Sequence, residues 1–291
     1  MNKKMVWWVV LVVSVMTLAC AVPALPKLPV KRVETGPTQT DEIRVPMPED
    51  KEGTDVTITM GFGKLAVEPG DREALIQGTV TYNVPSFEPE VSTEGSRVQV
   101  KQGGIDGVPS IQTFGEDVIN EWMLRLGATP MALSINAGAA TATVELGGLP
   151  LTNVTISQGA SDFGLSFAAP NPEMMDTLSF NAGASRAVLS NLSNANAAQI
   201  VFKGGAGDYT LDFGGTLQRD VQVQVEAGVG QVALVVPGGT AVEAVFDGAL
   251  TNVDAGEGWE RSGDKYVLPG EGAKVQFQIK MGVGNLQLRV E

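Results

Sequence analysis

The stretch Ile200-Val201-Phe202-Lys203-Gly204-Gly205-Ala206-Gly207-Asp208-Tyr209-Thr210-Leu211-Asp212-Phe213 decides the fold: a short alternating run, a glycine-centred turn, then a second alternating run. With Gly205 as reference, the plan recurs around Gly61, Gly138, Gly159, Gly183, Gly228 and Gly282. Five and three residues before the glycines stand Val56 and Ile58, Leu133 and Ile135, Val154 and Ile156, Leu178 and Phe180, Ile200 and Phe202, Val223 and Val225, Phe277 and Ile279. Six residues after them stand Val67, Val144, Leu165, Leu189, Leu211, Leu234 and Leu288. Every one of these positions is apolar, so the repeat is architectural.

From Gly138 to Gly228 the glycine spacings are 21, 24, 22 and 23 residues. A near-constant period with two alternating runs per unit is the mark of a solenoid, because one coil cannot bury its apolar face alone. The residues five and three before the glycine then point inward, and Ser134, Thr155, Ser179, Val201 and Gln224 between them face water. The expected fold is all-β: a repeat-built β-solenoid of the right-handed β-helix kind, with a small N-terminal β unit. A β-sandwich of hairpins is the alternative, and it requires antiparallel pairing about the glycine turns. The seven glycines are assigned as structural turn residues, at corners where φ is positive or the backbone is crowded.

Composition agrees with a turn-rich β protein. The 291 residues include 35 glycines and are 43% apolar, ample for a core. The net charge is −13, and a chain without residues 1–19 loses Lys3 and Lys4 and no acid, leaving −15. Nucleic acid is an unsuitable partner for such a surface, since phosphate binding needs clustered Lys and Arg. With no histidine and one cysteine, Ser-His-Asp and Cys-His catalysis, His-ligated zinc and intrachain disulfides are excluded. No catalytic, cofactor-binding or metal residues are assigned.

In chain order, residues 1–19 read as a secretory signal: two lysines, an apolar run from Met5 to Val13, then small residues before Cys20. Thr17-Leu18-Ala19-Cys20 resembles the lipobox of bacterial lipoproteins, in which the cysteine is lipidated; Thr17 departs from the usual aliphatic residue. Residues 20–55 hold six prolines and little periodicity, and read as a tether. Residues 56–130 form the N-terminal β unit of four short strands, with a loop over Gly103–Gly115 and a strand over Ile119–Leu126. Residues 131–291 form the solenoid repeats; Gly228 and Gly282 lie 54 apart, so the last segment breaks rhythm and closes the stack.

The phrases TMGFGKLAVEPG, GTVTYNVPSFEPEV, EWMLRLG, INAGAATATVELGGLPL and KGGAGDYTLDF resemble the toast-rack family of bacterial envelope proteins. The later half is similar to adhesin-like and cell-wall-active antibiotic response domains. The resemblance covers about residues 55–291 and implies a β-solenoid-like fold on an exported or membrane-facing protein, with no catalytic residues to carry over.

Other signals are weaker. Gly61 to Ala66 and Gly228 to Ala233 fit G-x-G-x-x-A, but strand rather than helix follows, so no dipole is aimed at a pyrophosphate. Gly204 to Asp208 resembles a calcium-binding nonapeptide, with its acid one place early and the wrong period. Asp208, Asp212, Glu226 and Asp247 could supply paired carboxylates for glycoside cleavage, and Trp122, Tyr209 and Phe213 could stack on sugars. The function expected is a lipid-anchored, extracytoplasmic, non-catalytic interaction or adhesin-like module of the cell envelope, needing no cofactor. Its expected partners are the membrane through the N-terminal lipid, and an envelope protein or a neutral glycan. The alternatives are an accessory or sensory component of an envelope stress response and, more distantly, a polysaccharide-acting enzyme.

Overall fold

The computed structural model describes residues 31–48, 53–104, 112–113 and 117–291. The signal segment, Cys20 and the first part of the tether lie outside the described residues. In chain order the strands are β1 (Lys31–Arg32), β2 (Gln39–Pro46), β3 (Thr54–Pro69), β4 (Ala74–Tyr82), β5 (Pro89–Glu94) and β6 (Arg97–Gln102). There follow β7 (Gln112–Thr113), β8 (Asn120–Leu126), β9 (Met131–Glu145), β10 (Leu151–Gln158), β11 (Asp162–Ser166) and β12 (Met175–Ser190). The last six are β13 (Ala197–Asp212), β14 (Val221–Val236), β15 (Thr240–Ala255), β16 (Glu260–Ser262), β17 (Lys265–Leu268) and β18 (Glu271–Val290).

The chain divides into two units, Met1–Val33 with Val108–Glu116, and Glu34–Gly107 with Asp117–Glu291. In the first, the described strands β1 and β7 pair in parallel, so the expected loop over Gly103–Gly115 contains a short strand. In the second, eight rungs lie side by side in the order β3, β9, β10 with β11, β12, β13, β14, β18 and β15. All pairing between rungs is parallel, not antiparallel as the hairpin alternative requires.

Register follows the repeat. Ile58, Ile135, Ile156, Phe180, Phe202, Val225 and Ile279 are successive partners, and every one is buried. The alternation of the first arm turns these side chains to one face, so each rung covers the apolar row of the next. Phe180 stacks on Phe202 at 5.7 Å, while Phe163 from the opposite arm meets Phe180 edge-on at 5.2 Å. The core is thus one continuous column closed from two sides.

Four sequence readings need correction. The glycines are not turns between two strands: most rungs are single long strands that bend there, and the pairing resumes on both sides, as at Ala182 with Gly204 and Ala184 with Ala206. None of the seven has a positive φ. Of the two expected reasons crowding is the one that holds, since a Cβ on Gly138, Gly159, Gly183, Gly205, Gly228 or Gly282 would sit 2.4–2.9 Å from the carbonyl oxygen of the glycine one rung away. The left-handed conformation falls two residues later, at Gly63, Gly230 and Gly284.

The boundary at residue 130 does not divide the fold, because β3 is itself the first rung and pairs with β9 along both arms. Nor does the tether run to residue 55. β2 adds to β4 in antiparallel fashion, with Ile43 and Val45 buried between exposed polar residues. Its flanking prolines, Pro37 and Pro46, mark strand ends rather than absence of structure. The C-terminal segment does close the stack, but not in chain order: β18 inserts between β14 and β15, so β15 is the outermost rung. This eighth rung has Ala249 at the register of Gly282, so it lacks the glycine that marks the other seven.

The two ends of the stack are covered by different devices. At the N-terminal end β6 pairs with the first arm of β3 and β8 with the second, leaving the bend between them. There Gln102 Oε1 accepts from Gly61 N at 2.9 Å and from Asn120 Nδ2 at 2.9 Å, and Asn120 Oδ1 accepts from Trp122 Nε1 at 2.8 Å. These side chains replace the missing rung, as buried backbone donors require. β8 continues into β4 and β2, and β6 into β5. At the other end β17 pairs antiparallel with the first arm of β15, with β16 beyond it. Lys265 holds Glu243 there at 2.8 Å.

Candidate functional site

The position two residues before each glycine emerges on the outer face of the first arm. Parallel register lines up Thr59, Asn136, Ser157, Asn181, Lys203, Glu226, Lys280 and Asp247 as successive neighbours. Beside this row, seven of the rungs present a glycine with no side chain, and a trench results. One section, of about 680 Å³, runs from Thr59 to Lys203 over Gly61, Gly138, Gly159, Gly183 and Gly205. The next, of about 510 Å³, runs over Gly228 and Gly282 between Lys203 and Asp247. Seven inter-strand steps of ~4.8 Å make the whole about 34 Å long.

The row changes character along its length. Thr59, Asn136, Ser157 and Asn181 offer hydroxyls and amides, each able to donate and accept, without charge. Lys203, Glu226, Lys280 and Asp247 alternate in sign, and Lys203 lies 3.8 Å from Glu226. Lys203 and Glu226 thus pair within the charged half, whereas the neutral half suits a polar, uncharged ligand. This row is written in the sequence, since the residue two before each glycine is polar in all seven repeats, but any solvated outer face carries polar residues, so the pattern alone does not mark a site.

The residues singled out for chemistry do not converge. Glu226 and Asp247 are in the trench, separated by the rung of Lys280. Asp208 and Asp212 are on the second arm of β13, where Asp208 neighbours Arg186 and Asp212 accepts from Gly214 N at 2.8 Å to shape a turn. Trp122, Tyr209 and Phe213 are buried and cannot stack on a sugar: Tyr209 donates to Gly183 O at 3.3 Å, and Phe213 meets Phe277 at 5.0 Å. Burial, above all, pushes the Tyr209 phenol up. The G-x-G-x-x-A segments and Gly204 to Asp208 all lie inside strands. Among the described residues no group of three or more Asp, Glu, Cys or His is placed to hold a metal ion, and no helix is long and apolar enough to cross a membrane.

Stacked parallel rungs, an apolar column inside and a ladder of polar side chains outside define an all-β protein built from repeats. The chain belongs to the toast-rack family: the family model for the N-terminal domain of toast_rack matches residues 34–176 and again 169–235. No curated protein matches the chain significantly. Among solved structures it is similar to a "putative cell adhesion protein" from Clostridium sporogenes, with 18% identity, 88% of this chain and 100% of that chain covered, and a TM-score of 0.47. It is similar also to a "putative adhesin" from Bacteroides fragilis, at 11% identity, 89% and 99% coverage and a TM-score of 0.45. A "putative lipid binding protein" from Parabacteroides distasonis shares 13% identity over 89% and 99% of the two chains, with a TM-score of 0.39.

Proposed function

We propose that the chain is a non-catalytic, adhesin-like interaction module of the cell envelope, and that its stacked rungs are a β-solenoid whose trench binds an extended neutral glycan. The single observation behind this reading is the uncharged ladder Thr59, Asn136, Ser157 and Asn181 beside the glycine floor. A row that repeats a donor and an acceptor at every inter-strand step suits a polymer that repeats its own hydroxyls. The glycine floor lets such a chain approach the backbone, where side chains would hold it off. In this reading Cys20 carries a lipid that holds the mature protein at the outer face of a membrane. The overall charge of −15 then disfavours anionic wall polymers and leaves neutral glycans as ligands.

The test is isothermal titration of the purified protein with neutral envelope polysaccharides, beside an Asn136→Leu/Asn181→Leu variant. Expected are saturable binding that changes little with salt, no turnover, and an affinity at least tenfold weaker in the variant, as for about two lost hydrogen bonds. Binding indifferent to both asparagines would reject the trench. Turnover abolished by replacing Glu226 or Asp247 would establish the enzyme reading instead.

A further inference from the structure

The neutral half of the trench has a period of its own, two rungs long. Its wall reads hydroxyl, amide, hydroxyl, amide at Thr59, Asn136, Ser157 and Asn181 on successive rungs. The floor alternates in step: beside the amides it is Ala137 and Ala182, beside the hydroxyls Met60 and Gln158. Asn136-Ala137-Gly138-Ala139 and Asn181-Ala182-Gly183-Ala184 are thus one phrase set two rungs apart. One row farther from the trench the amides are gone, and Thr57, Ser134, Thr155 and Ser179 present hydroxyls on all four rungs. A lysine stands at each end of the section. Lys101 neighbours Thr59 and lies 3.7 Å from Glu90; Lys203 neighbours Asn181 and lies 3.8 Å from Glu226.

We propose that this section is a four-unit subsite for a β-1,4-linked glycan of N-acetylated sugars, an inference that rests on the trench reading above and narrows its ligand. In such a chain each unit is turned half a turn from the last, so a group carried by every unit points to the same wall only at every second one. Two inter-strand steps are roughly 9.6 Å, close to the length of one such disaccharide. With one unit per rung, acetamido groups two units apart arrive at Asn136 and Asn181. There the acetamido N–H donates to the asparagine Oδ1, and its carbonyl accepts from the asparagine Nδ2, so both halves of each amide are used. The Asn136 amide has no hydrogen-bond partner among the described residues, and Asn181 Nδ2 donates only to Ser179 Oγ, at 3.4 Å. The acetamido methyl goes to Ala137 or Ala182, where the floor side chain is shortest; at Met60 and Gln158 it would meet a longer one. Thr59 and Ser157 are left for the ring hydroxyls of the intervening units. A glycan without the half-turn, or without amides, has no use for this period.

The test is calorimetric titration of the full chain with two tetramers of the same linkage, one of N-acetylglucosamine and one of glucose, which differ in carrying an acetamido group or a hydroxyl at one carbon of each unit. The acetylated tetramer should bind at least about tenfold more tightly, for two amide pairs gained. Its affinity should rise from dimer to tetramer and level off at the hexamer. Asn136→Ser/Asn181→Ser, which turns the wall into hydroxyls throughout, should bring the preference below about threefold and leave the Kd of the glucose tetramer within about twofold. Circular dichroism and Tm of the variant should show that the fold is kept. Equal Kd values for the two tetramers, or a preference that survives the double variant, would overturn this inference and leave the neutral-glycan reading standing. So would an affinity still rising beyond the hexamer. Failure of both tetramers and of every neutral envelope polysaccharide to bind would overturn the two readings together.

Discussion

Two glycines two residues apart on the same strand do different work. A Cβ on Gly228 would meet Gly205 O at 2.5 Å, with backbone angles that any residue adopts. On Gly230 it would meet Gly207 O at 1.8 Å, and φ there is 138°. Propensity alone would make alanine better than glycine in a strand, by roughly 0.5–1 kcal/mol. Gly228→Ala is therefore expected to cost about 1–3 kcal/mol through overpacking against the adjacent rung. Gly230→Ala adds backbone strain of about 1–3 kcal/mol to the same clash. Urea midpoints of the two variants check the order, and a Gly230→Ala protein as stable as Gly228→Ala would contradict it. The periodic glycine was plain in the sequence. Its reason was only half readable there, because a crowded carbonyl belongs to a residue some 22 positions away.

At the scale of the element, β2 is held to β4 by more than its ladder. Tyr82 Oη donates to Asp41 Oδ2 at 2.9 Å. Burial first, then that hydrogen bond and the charges of Asp41 and Glu88, push the phenol from 10.0 up to about 12. A phenol raised in the folded state stabilises fully below its unfolded value near 10 and loses that contribution as pH rises through about 12. Tyr82→Phe should therefore cost about 1 kcal/mol at neutral pH, for the lost hydrogen bond. Its stability should then fall less steeply than the wild type's between those two values. Thermal melts across that range test the sign, and a steeper alkaline fall in the variant would refute it. Part of that fall remains in either protein, because the Tyr209 phenol is raised too. The alternation of Ile43 and Val45 that makes β2 a strand was visible, but prolines on both sides and three charges among seven residues made the segment look like a linker. β15 was hidden for another reason: its Ala244 and Phe246 fit the repeat, while its marker glycine is replaced by Ala249.

For the whole molecule, parallel stacking was legible because every inward position is apolar in every repeat, which a single coil could not use. Spatial order was not legible, since nothing in a strand's composition says which neighbour it will meet. The trench inherits the same limit: its polar row is written at one position of the repeat, but its continuity from Lys203 through Glu226 to Lys280 and Asp247 depends on β18 entering between β14 and β15. That insertion bears on how the protein is made. Translation delivers β15 before β18, yet the place of β15 lies beyond β18, so β15 must wait until the ribosome has made the twenty residues of β18. Until then β14 shows a sixteen-residue unpaired edge, a template for wrong partners. Chains arrested with β18 still inside the exit tunnel should be cut by protease within residues 240–255, and protection should come only when β18 has emerged; early resistance would contradict this order. A chain ending before Glu271 should aggregate rather than fold one rung short. β18 is thus the keystone of assembly, since β15 has no rung to join until β18 is in place.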